Sequence, residues 1–268
     1  YTNQRCNKVI RGVSFDIKRG RTLCVVGESG CGKSVTSMSV MRLIQGPTGQ
    51  IVEGAMRFKA YDYQRDAKGN PVCDGDGKPV MEEKIYDIAK MPIHEIHRIR
   101  GKQVAMIFQE PMVAFSSMYT IGNQINEATL LHITKDKKKA KEISMEVMRK
   151  VGIANVEKRY NQYPHEFSGG QRQRLMIARA IAPKPKILMF DEATSALDNI
   201  TQRKVSEALD GLKCTRIVIA HRLSTIRHCD RIIVLDGGKI IEDGTYDELL
   251  AMDGFFTELV KRQRINIS

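Results

Sequence analysis

Long apolar runs and clustered cysteines are both missing from this sequence of 268 residues. A membrane-spanning helix needs about 18 or more consecutive apolar residues, and no such run occurs. The N-terminal stretch YTNQRCNKVIRG also lacks the apolar segment of a secretory signal peptide. The sequence therefore predicts a chain that neither spans a membrane nor carries an export signal.

Cysteines are few and scattered. They form no C-x-x-C pair and no Cys/His cluster with the spacing of metal ligands, which argues against a structural zinc site. We expect reduced thiols, as in the cytosol. The six cysteines are Cys6, Cys24, Cys31, Cys73, Cys214 and Cys229.

Positive charge is in excess, although 42% of the residues are hydrophobic, as in an ordinary globular protein. Lys and Arg number 43 against 31 Asp and Glu, which gives a formal net charge of +12. This balance suits nucleic acid, anionic lipid or nucleotides and does not decide among them. The densest cluster, KDKKKAK at 135–141, has few interleaved aromatic residues, and its favoured interpretation is a solvated helix face.

The first part of the chain contains a strand, a glycine-rich loop and a helical pattern in direct succession. The strand is TLCVV at 22–26. Residues 61–84 are polar and rich in Gly, Pro and Asp, with turn signals at 69–70 and 76–77. We interpret 61–84 as a hairpin-like surface insertion. Its DGDG stretch lacks the further ligand spacing of an EF-hand, so it predicts a turn and no calcium loop.

The second part changes from a helical pattern to alternating strands and helices. The helical pattern covers 112–182 and ends at Pro183 and Pro185, which cannot continue a helix. The alternation that follows predicts an α/β fold with a mainly parallel sheet. Its strands are KILMF (186–190), TRIVIAH (215–221) and RIIVL (231–235), and a helical segment near 199–212 separates the first two. A hairpin turn at 236–238 then joins RIIVL to KIIEDG, and two short amphipathic segments end the chain.

The octapeptide GESGCGKS at 27–34 fits the phosphate-loop pattern G-x-x-x-x-G-K-[ST], between a strand and a helix as that motif requires. Its glycines allow close approach of a phosphate, and its backbone N–H groups and the helix N-terminus favour negative charge. Lys33 is predicted to place its charge on the β- and γ-phosphates, and Ser34 to bind Mg²⁺. Cys31 stands at a variable position and is interpreted as a small filler without a redox role.

Two acidic residues follow the apolar strand KILMF. Alone, this pair would indicate a strand that ends in a solvated loop. With a phosphate loop upstream, Asp191 is the candidate Mg²⁺ ligand and Glu192 the candidate base that orients or deprotonates water.

The pentapeptide FSGGQ at 167–171 precedes a helical run. Ser168 is a candidate N-cap of that helix, and Gly169 and Gly170 expose its first N–H groups. These residues are consistent both with a plain helix cap and with a second phosphate-binding helix terminus.

In their order and joint presence, these motifs resemble the ATPase domains of ABC transporters over essentially the whole chain. FSGGQ resembles the signature loop, Gln109 in MIFQEP the Q-loop, Ser195 to Asp198 (SALD) the D-loop, and His221 in IVIAHR the switch histidine. Tyr1 stands where many members place an aromatic residue that stacks on adenine, although a terminal tyrosine is equally consistent with disorder.

The resemblance implies a P-loop NTPase fold: a mainly parallel sheet core with an antiparallel β subdomain (1–111 and 183–268) and an inserted helical subdomain (112–182). It also implies that two such domains close head to tail over two molecules of ATP. Each nucleotide would then contact the phosphate loop of one domain and the signature loop of the other.

The resemblance implies three sets of site residues. The catalytic residues would be Glu192, His221 and Gln109, and the Mg²⁺ ligands Ser34, Gln109 and Asp191. The nucleotide would contact Tyr1, Gly27, Glu28, Ser29, Gly30, Cys31, Gly32, Lys33, Ser34, Gln109, Ser168, Gly169, Gly170, Gln171 and Asp198.

Two parts of the chain resemble different branches of the family. Up to residue 180, MIFQEPM and YTIGNQINEA are similar to ATPases of oligopeptide and dipeptide importers, whereas from 187 onward DEATSALDN and GTYDELL are similar to peptide and bacteriocin exporters. Peptide uptake through a separate integral membrane permease, at the cytoplasmic face, is favoured. Export and an ATPase acting on nucleic acid remain alternatives, although no nucleic acid partner is expected.

Overall fold

A computed structural model gives the fold. It describes residues 7–44, 49–68, 70–108, 114–191, 205–206, 209, 211–212, 214–220 and 222–265. The chain divides into two compact units, of which the smaller is Met38–Arg98 and the larger contains the remaining residues on both sides of it.

Six of the described strands form one sheet in the larger unit. All the described strands, of which β2 and β3 form a separate pair, are β1 (Thr22–Val26), β2 (Arg57–Tyr63), β3 (Met81–Asp87), β4 (Val104–Ile107), β5 (Ile187–Asp191), β6 (Thr215–Ile219), β7 (Arg231–Asp236) and β8 (Lys239–Gly244). The order in the sheet is β4-β5-β6-β1-β7-β8, and all neighbours are parallel except β7 and β8. The predicted α/β class with a mainly parallel sheet is confirmed, as is the hairpin at 236–238.

The burial of the strands explains why the sequence predicts β1, β5 and β7 well, whereas β4 was not predicted. β1, β4, β5 and β7 are apolar runs with nearly all residues buried, as in parallel strands covered on both faces. β8 lies at the sheet edge and alternates between exposed and half-buried residues. Asp191 pairs with Ile219, and Ile219 pairs with Val25. The carboxyl ends of β5, β6 and β1 therefore meet at one edge of the sheet.

The described helices are α1 (Lys33–Val40), α2 (Ile121–His132), α3 (Lys137–Lys150), α4 (Val156–Arg159), α5 (Gly169–Ile181), α6 (Leu223–Ile226), α7 (Tyr246–Ala251) and α8 (Phe255–Ile265). Side chains of α2 to α5 share one hydrophobic cluster with β4 and β5, in which Ile121, Met148 and Leu175 are fully buried. The helical pattern expected before Pro183 is thus confirmed. Within the described ranges, no helix has both the length and the apolar character needed to cross a membrane.

The lysine cluster at 135–141 lies at the start of α3. Asp136 is the N-cap residue, since its side chain accepts a hydrogen bond from the backbone N–H of Lys138. The lysines of the cluster are exposed. Their position agrees with the solvated helix face favoured from the sequence.

The smaller unit contains the antiparallel pair β2 and β3, which confirms the hairpin-like reading of 61–84. Beyond that pair, three backbone hydrogen bonds join Gln64, Val72 and Val80 in a ring: Gln64 donates to Val80, Val80 to Val72, and Val72 to Gln64. Two short arms leave this ring. In each, an aspartate accepts two backbone N–H groups of its own turn, Asp66 in the first arm and Asp74 in the second.

The cysteines within the described residues are free thiols. Cys24 of β1 and Cys229 belong to the same buried cluster. A hydrogen bond with Cys229, together with burial, raises the pKa of the Cys24 thiol well above its ordinary value. Since the thiolate is the reactive form, Cys24 is a structural residue and a poor nucleophile.

Candidate nucleotide-binding site

At two positions in the loop between β1 and α1, only glycine fits the backbone conformation and the surrounding space. At Gly27 (φ 150°), an added Cβ would lie 2.2 Å from the carbonyl oxygen of Leu235 on β7. At Gly32 (φ 107°), it would lie 2.6 Å from Cδ1 of Ile10. Larger residues would therefore push the loop away from the sheet and from the N-terminal segment, and the loop would lose its compact form.

Lys33 is the first residue of α1 and is only 6% exposed. Its Nζ atom donates hydrogen bonds to the carbonyl oxygens of Gly27 (2.9 Å) and Glu28 (2.8 Å). The ammonium group is therefore enclosed by the same loop that would surround a phosphate. The motif predicted that Lys33 would contact the β- and γ-phosphates, which stays a prediction, and it did not predict these two carbonyl partners.

Ser34 and Asp191 meet at the edge of the sheet, although 157 positions separate them in the chain. The Ser34 hydroxyl donates a hydrogen bond of 3.0 Å to Oδ1 of Asp191, and Asp191 is 3% exposed. A hydroxyl and a carboxylate are hard oxygen donors of the kind that Mg²⁺ prefers. The residues present thus fit a magnesium ion bound beside a phosphate, as the sequence predicted for both of them.

The FSGGQ segment forms a capped helix start. Ser168 Oγ accepts the backbone N–H of Gln171, and the Gln171 side chain accepts the backbone N–H of Ser168 at 3.0 Å. An added Cβ at Gly169 would meet no atom within 4 Å, so the space beside this residue is free. In the described part of the chain, no hydrogen bond joins Ser168 to the phosphate loop.

Comparisons with known proteins identify the family. A family model described as ABC transporter matches residues 10–195, which include both the phosphate loop and FSGGQ. The chain belongs to the ABC transporter family. The resemblance drawn from the motifs is thereby confirmed.

Two relatives are ATP-binding proteins of peptide transport in Bacillus subtilis (strain 168). The oligopeptide transport ATP-binding protein OppD is 39% identical over 247 residues, which are 90% of this chain and 62% of OppD. The dipeptide transport ATP-binding protein DppD is 36% identical over 247 residues, which are 90% of this chain and 66% of DppD. These matches extend well beyond residue 180, where the importer-like stretches of the sequence end.

Two solved structures share the fold. A bacterial Atm1-family ABC exporter with ATP bound is 27% identical with a TM-score of 0.69, and the match covers 98% of this chain and 40% of that one. A dimeric ATP-binding cassette in a post-hydrolysis state, bound to ADP and Pi, gives a TM-score of 0.71 at 22% identity, over 91% of this chain and 94% of that one. The second likeness supports the fold alone, and the predicted ABC ATPase fold is confirmed.

Several residues that the ABC resemblance assigns to the site lie outside the described residues. They are Tyr1, Gln109, Glu192, Asp198 and His221. Glu192 directly follows Asp191, the last residue of β5, and His221 follows Ala220 shortly after the end of β6. The roles of these five residues remain predictions.

One contact of the phosphate loop was not foreseen. Arg262 of α8 lies 2.8 Å from Oε1 of Glu28, the second residue of the loop. The two residues are 234 positions apart, and no motif connects them. Only the fold brings the C-terminal helix to the loop.

Proposed function

We propose that this chain is the ATP-binding and ATP-hydrolysing subunit of an ABC transporter. One observation carries the proposal: Ser34 of the phosphate loop donates a hydrogen bond to Asp191 at the carboxyl end of β5. The neighbouring residue Lys33 has its ammonium group bound by two carbonyl oxygens of the same loop. Family membership and the similarity to ATP-binding proteins of peptide transporters support it. ATP is the substrate, and water is the second reactant.

In this proposal the ammonium of Lys33 and the N-terminus of α1 stabilise the triphosphate charge. Ser34 and Asp191, with Gln109, hold Mg²⁺, which would neutralise charge on the phosphate oxygens. Glu192 orients and deprotonates the attacking water, and His221 contacts the γ-phosphate. The roles of Gln109, Glu192 and His221 rest on the family resemblance.

The partner that completes the site is a second ABC ATPase domain. The N-terminus of α5, with Ser168, Gly169 and Gly170, is suited to a phosphate that a partner's loop presents, because the N–H groups of Gly169 and Gly170 stand in the first turn, where a helix supplies no acceptor. The dimeric cassettes among the similar structures support such pairing. We also propose that the chain is divided into a nucleotide-binding core and a helical subdomain at 112–182.

Peptide uptake through a separate permease is the transport function that the comparisons favour. The peptide-transport relatives match 90% of the chain at 36% to 39% identity. Export is the second candidate, since the Atm1-family exporter matches 98% of the chain at 27% identity. In either case the subunit would lie at the cytoplasmic face, bound to its integral membrane partner.

The importer-like residues 109–165 are expected to select that membrane partner. Within them, Met118 and Tyr119 are 79% and 59% exposed, while the buried side chain of Gln124 holds the same segment through hydrogen bonds to Ser116 and Tyr119. Exchange of 109–165 for the matching segment of an exporter should change which permease copurifies and leave MgATP binding intact. If partner choice instead follows an exchange of 187–268, the preference for import is wrong.

The magnesium assignment is tested by Asp191→Asn. This change keeps the size of the side chain and a hydrogen-bond acceptor for Ser34, but it removes the charge. We expect the Mg²⁺ concentration that half-saturates ATP hydrolysis to rise by about tenfold, in line with the loss of one charged ligand contact. The measurement is phosphate release against total Mg²⁺ at fixed ATP. An unchanged Mg²⁺ dependence in a folded variant would argue against Asp191 as a ligand.

A further inference from the structure

The C-terminal helix α8 follows α7, starts beside the last strand β8 and reaches the phosphate loop near its end. Near its end, Arg262 forms an ion pair of 2.8 Å with Glu28, and it lies 3.5 Å from Glu258 one turn earlier. The loop therefore carries a carboxylate, and a residue from the far end of the chain supplies its counter-charge.

The start of α8 is fixed by β8. The Glu242 carboxylate accepts the backbone N–H groups of Phe255 (2.5 Å) and Phe256 (2.9 Å), the first two residues of the helix. Gly254 makes this possible, because a Cβ there would lie 2.2 Å from Oε1 of Glu242. Hydrogen bonds from its first turn to Glu242 of β8 thus fix where α8 starts.

The first half of α8 is anchored in the core. Phe256 and Val260, one turn apart, are 1% and 3% exposed and belong to the cluster that includes Val26 and Val234. Phe256 also packs edge-on against Tyr246 at 5.6 Å between ring centroids. Two anchored turns therefore precede Arg262 and hold its backbone in place.

A cavity of about 460 Å³ lies between the loop and this helix. Residues 26–29 of the chain line it, together with Ala220, Leu223 and Ile226 and with Phe256, Leu259 and Val260 of α8. Glu28 is one of the residues that line this cavity. The ion pair between Arg262 and Glu28 joins the loop to α8 at this point.

The electrostatics give the ion pair a role in ligand binding. Both side chains are more than half exposed, and exposed ion pairs contribute little to folding stability. A bare carboxylate in a loop that binds a polyanion, however, repels the ligand at short range. Arg262 offsets that repulsion and fixes where the carboxylate lies.

We infer that Arg262 is a positioning residue for the phosphate loop, which acts by neutralising Glu28 and holding its side chain toward α8. This inference rests on the proposed ATP-binding function. It assigns the C-terminal helix a part in nucleotide affinity that is separate from the chemical step.

A double-mutant cycle tests the inference. MgATP binding is measured by titration calorimetry on the wild type, Arg262→Gln, Glu28→Gln and the double variant. We expect Arg262→Gln to weaken binding by about 3- to 10-fold, and the same change to have no effect when Glu28 is already Gln. The loss should shrink at high salt, and kcat at saturating ATP should change by less than about twofold, because the chemical groups are untouched.

Lys261→Gln is the matched control. Lys261 is adjacent on α8, carries the same charge and pairs with Asp253 at 3.1 Å, so its loss should leave ATP affinity unchanged. Equal affinities of wild type and Arg262→Gln would overturn the inference, and so would a loss that persists beside Glu28→Gln, since Arg262 would then act on the nucleotide directly. A wild-type protein that binds no MgATP would instead defeat the proposed function.

Discussion

Replacement of Lys33 by alanine should abolish ATP hydrolysis and weaken MgATP binding by about 100-fold or more, the scale expected when a charged group loses its contacts with a triphosphate. The side chain is almost fully buried, and its ammonium is enclosed by the carbonyl oxygens of Gly27 and Glu28. Alanine removes the positive charge and leaves both carbonyls without this donor. Titration calorimetry and phosphate release measure the two effects.

The same substitution should also change stability. The substitution leaves two carbonyl oxygens without their buried donor. We expect this loss to lower the free energy of unfolding by about 1–3 kcal/mol. Circular dichroism during urea unfolding separates this loss from a specific effect on binding. A folded Lys33→Ala protein with wild-type affinity and turnover would remove the assignment of 27–34 as the phosphate loop.

Thr36→Val provides a control in the first turn of α1, next to the loop. The Thr36 hydroxyl donates a hydrogen bond of 2.9 Å to the carbonyl oxygen of Gly32, so valine removes one loop contact without changing the charge. We expect a loss of ATP affinity below about fivefold, as for one neutral hydrogen bond. A loss as large as that of Lys33→Ala would show that loop shape, and not the charge of Lys33, controls binding.

Strands β1, β5 and β7 were predictable because most of their residues are buried and they therefore appear as apolar runs in the sequence, whereas β4 was not predicted. KILMF was expected at 186–190 and the strand occupies Ile187–Asp191, a shift of one residue that places Asp191 inside the strand. The meeting of Ser34 with Asp191 also followed from the sequence, since a phosphate loop and a strand that ends in acids imply it. Local pattern and motif order were sufficient here.

Contacts that depend on the path of the whole chain were not predictable in this way. The ring formed by Gln64, Val72 and Val80 requires three backbone segments to meet, and turn signals indicate single turns only. The pairing of Arg262 with Glu28 depends on the direction of α8, whose start Glu242 fixes through its hydrogen bonds. The direction of α8 cannot be deduced from a pattern of residues along the sequence.

Glu192→Gln should separate ATP binding from ATP hydrolysis more sharply than any other single change. Glutamine keeps the shape of glutamate and removes the basic carboxylate, so binding should survive while the chemical step slows by roughly two to four orders of magnitude. Glu142→Gln on α3, an exposed glutamate far along the chain from the acidic strand end, is the matched control and should retain the wild-type rate. Single-turnover hydrolysis measures both.

The same variant should accumulate a closed dimer, because the γ-phosphate is the group that links the two domains. In the proposed arrangement Lys33 of one chain and the helix terminus at Ser168 of the other contact that phosphate, and ADP lacks it. A ligand shifts an equilibrium only by its difference in affinity for the two states, so ATP and ADP should differ in the mass they produce.

Light scattering on Glu192→Gln should therefore show a dimer with ATP, a monomer with ADP, and a monomer with ATP when Ser168→Arg is added. If a different ATPase subunit is the natural partner, the homodimer will be weak and the measurement is repeated with that subunit present. A mass that is independent of ATP in both settings would defeat the head-to-tail mechanism, because the nucleotide would then contribute nothing to the association of the two domains.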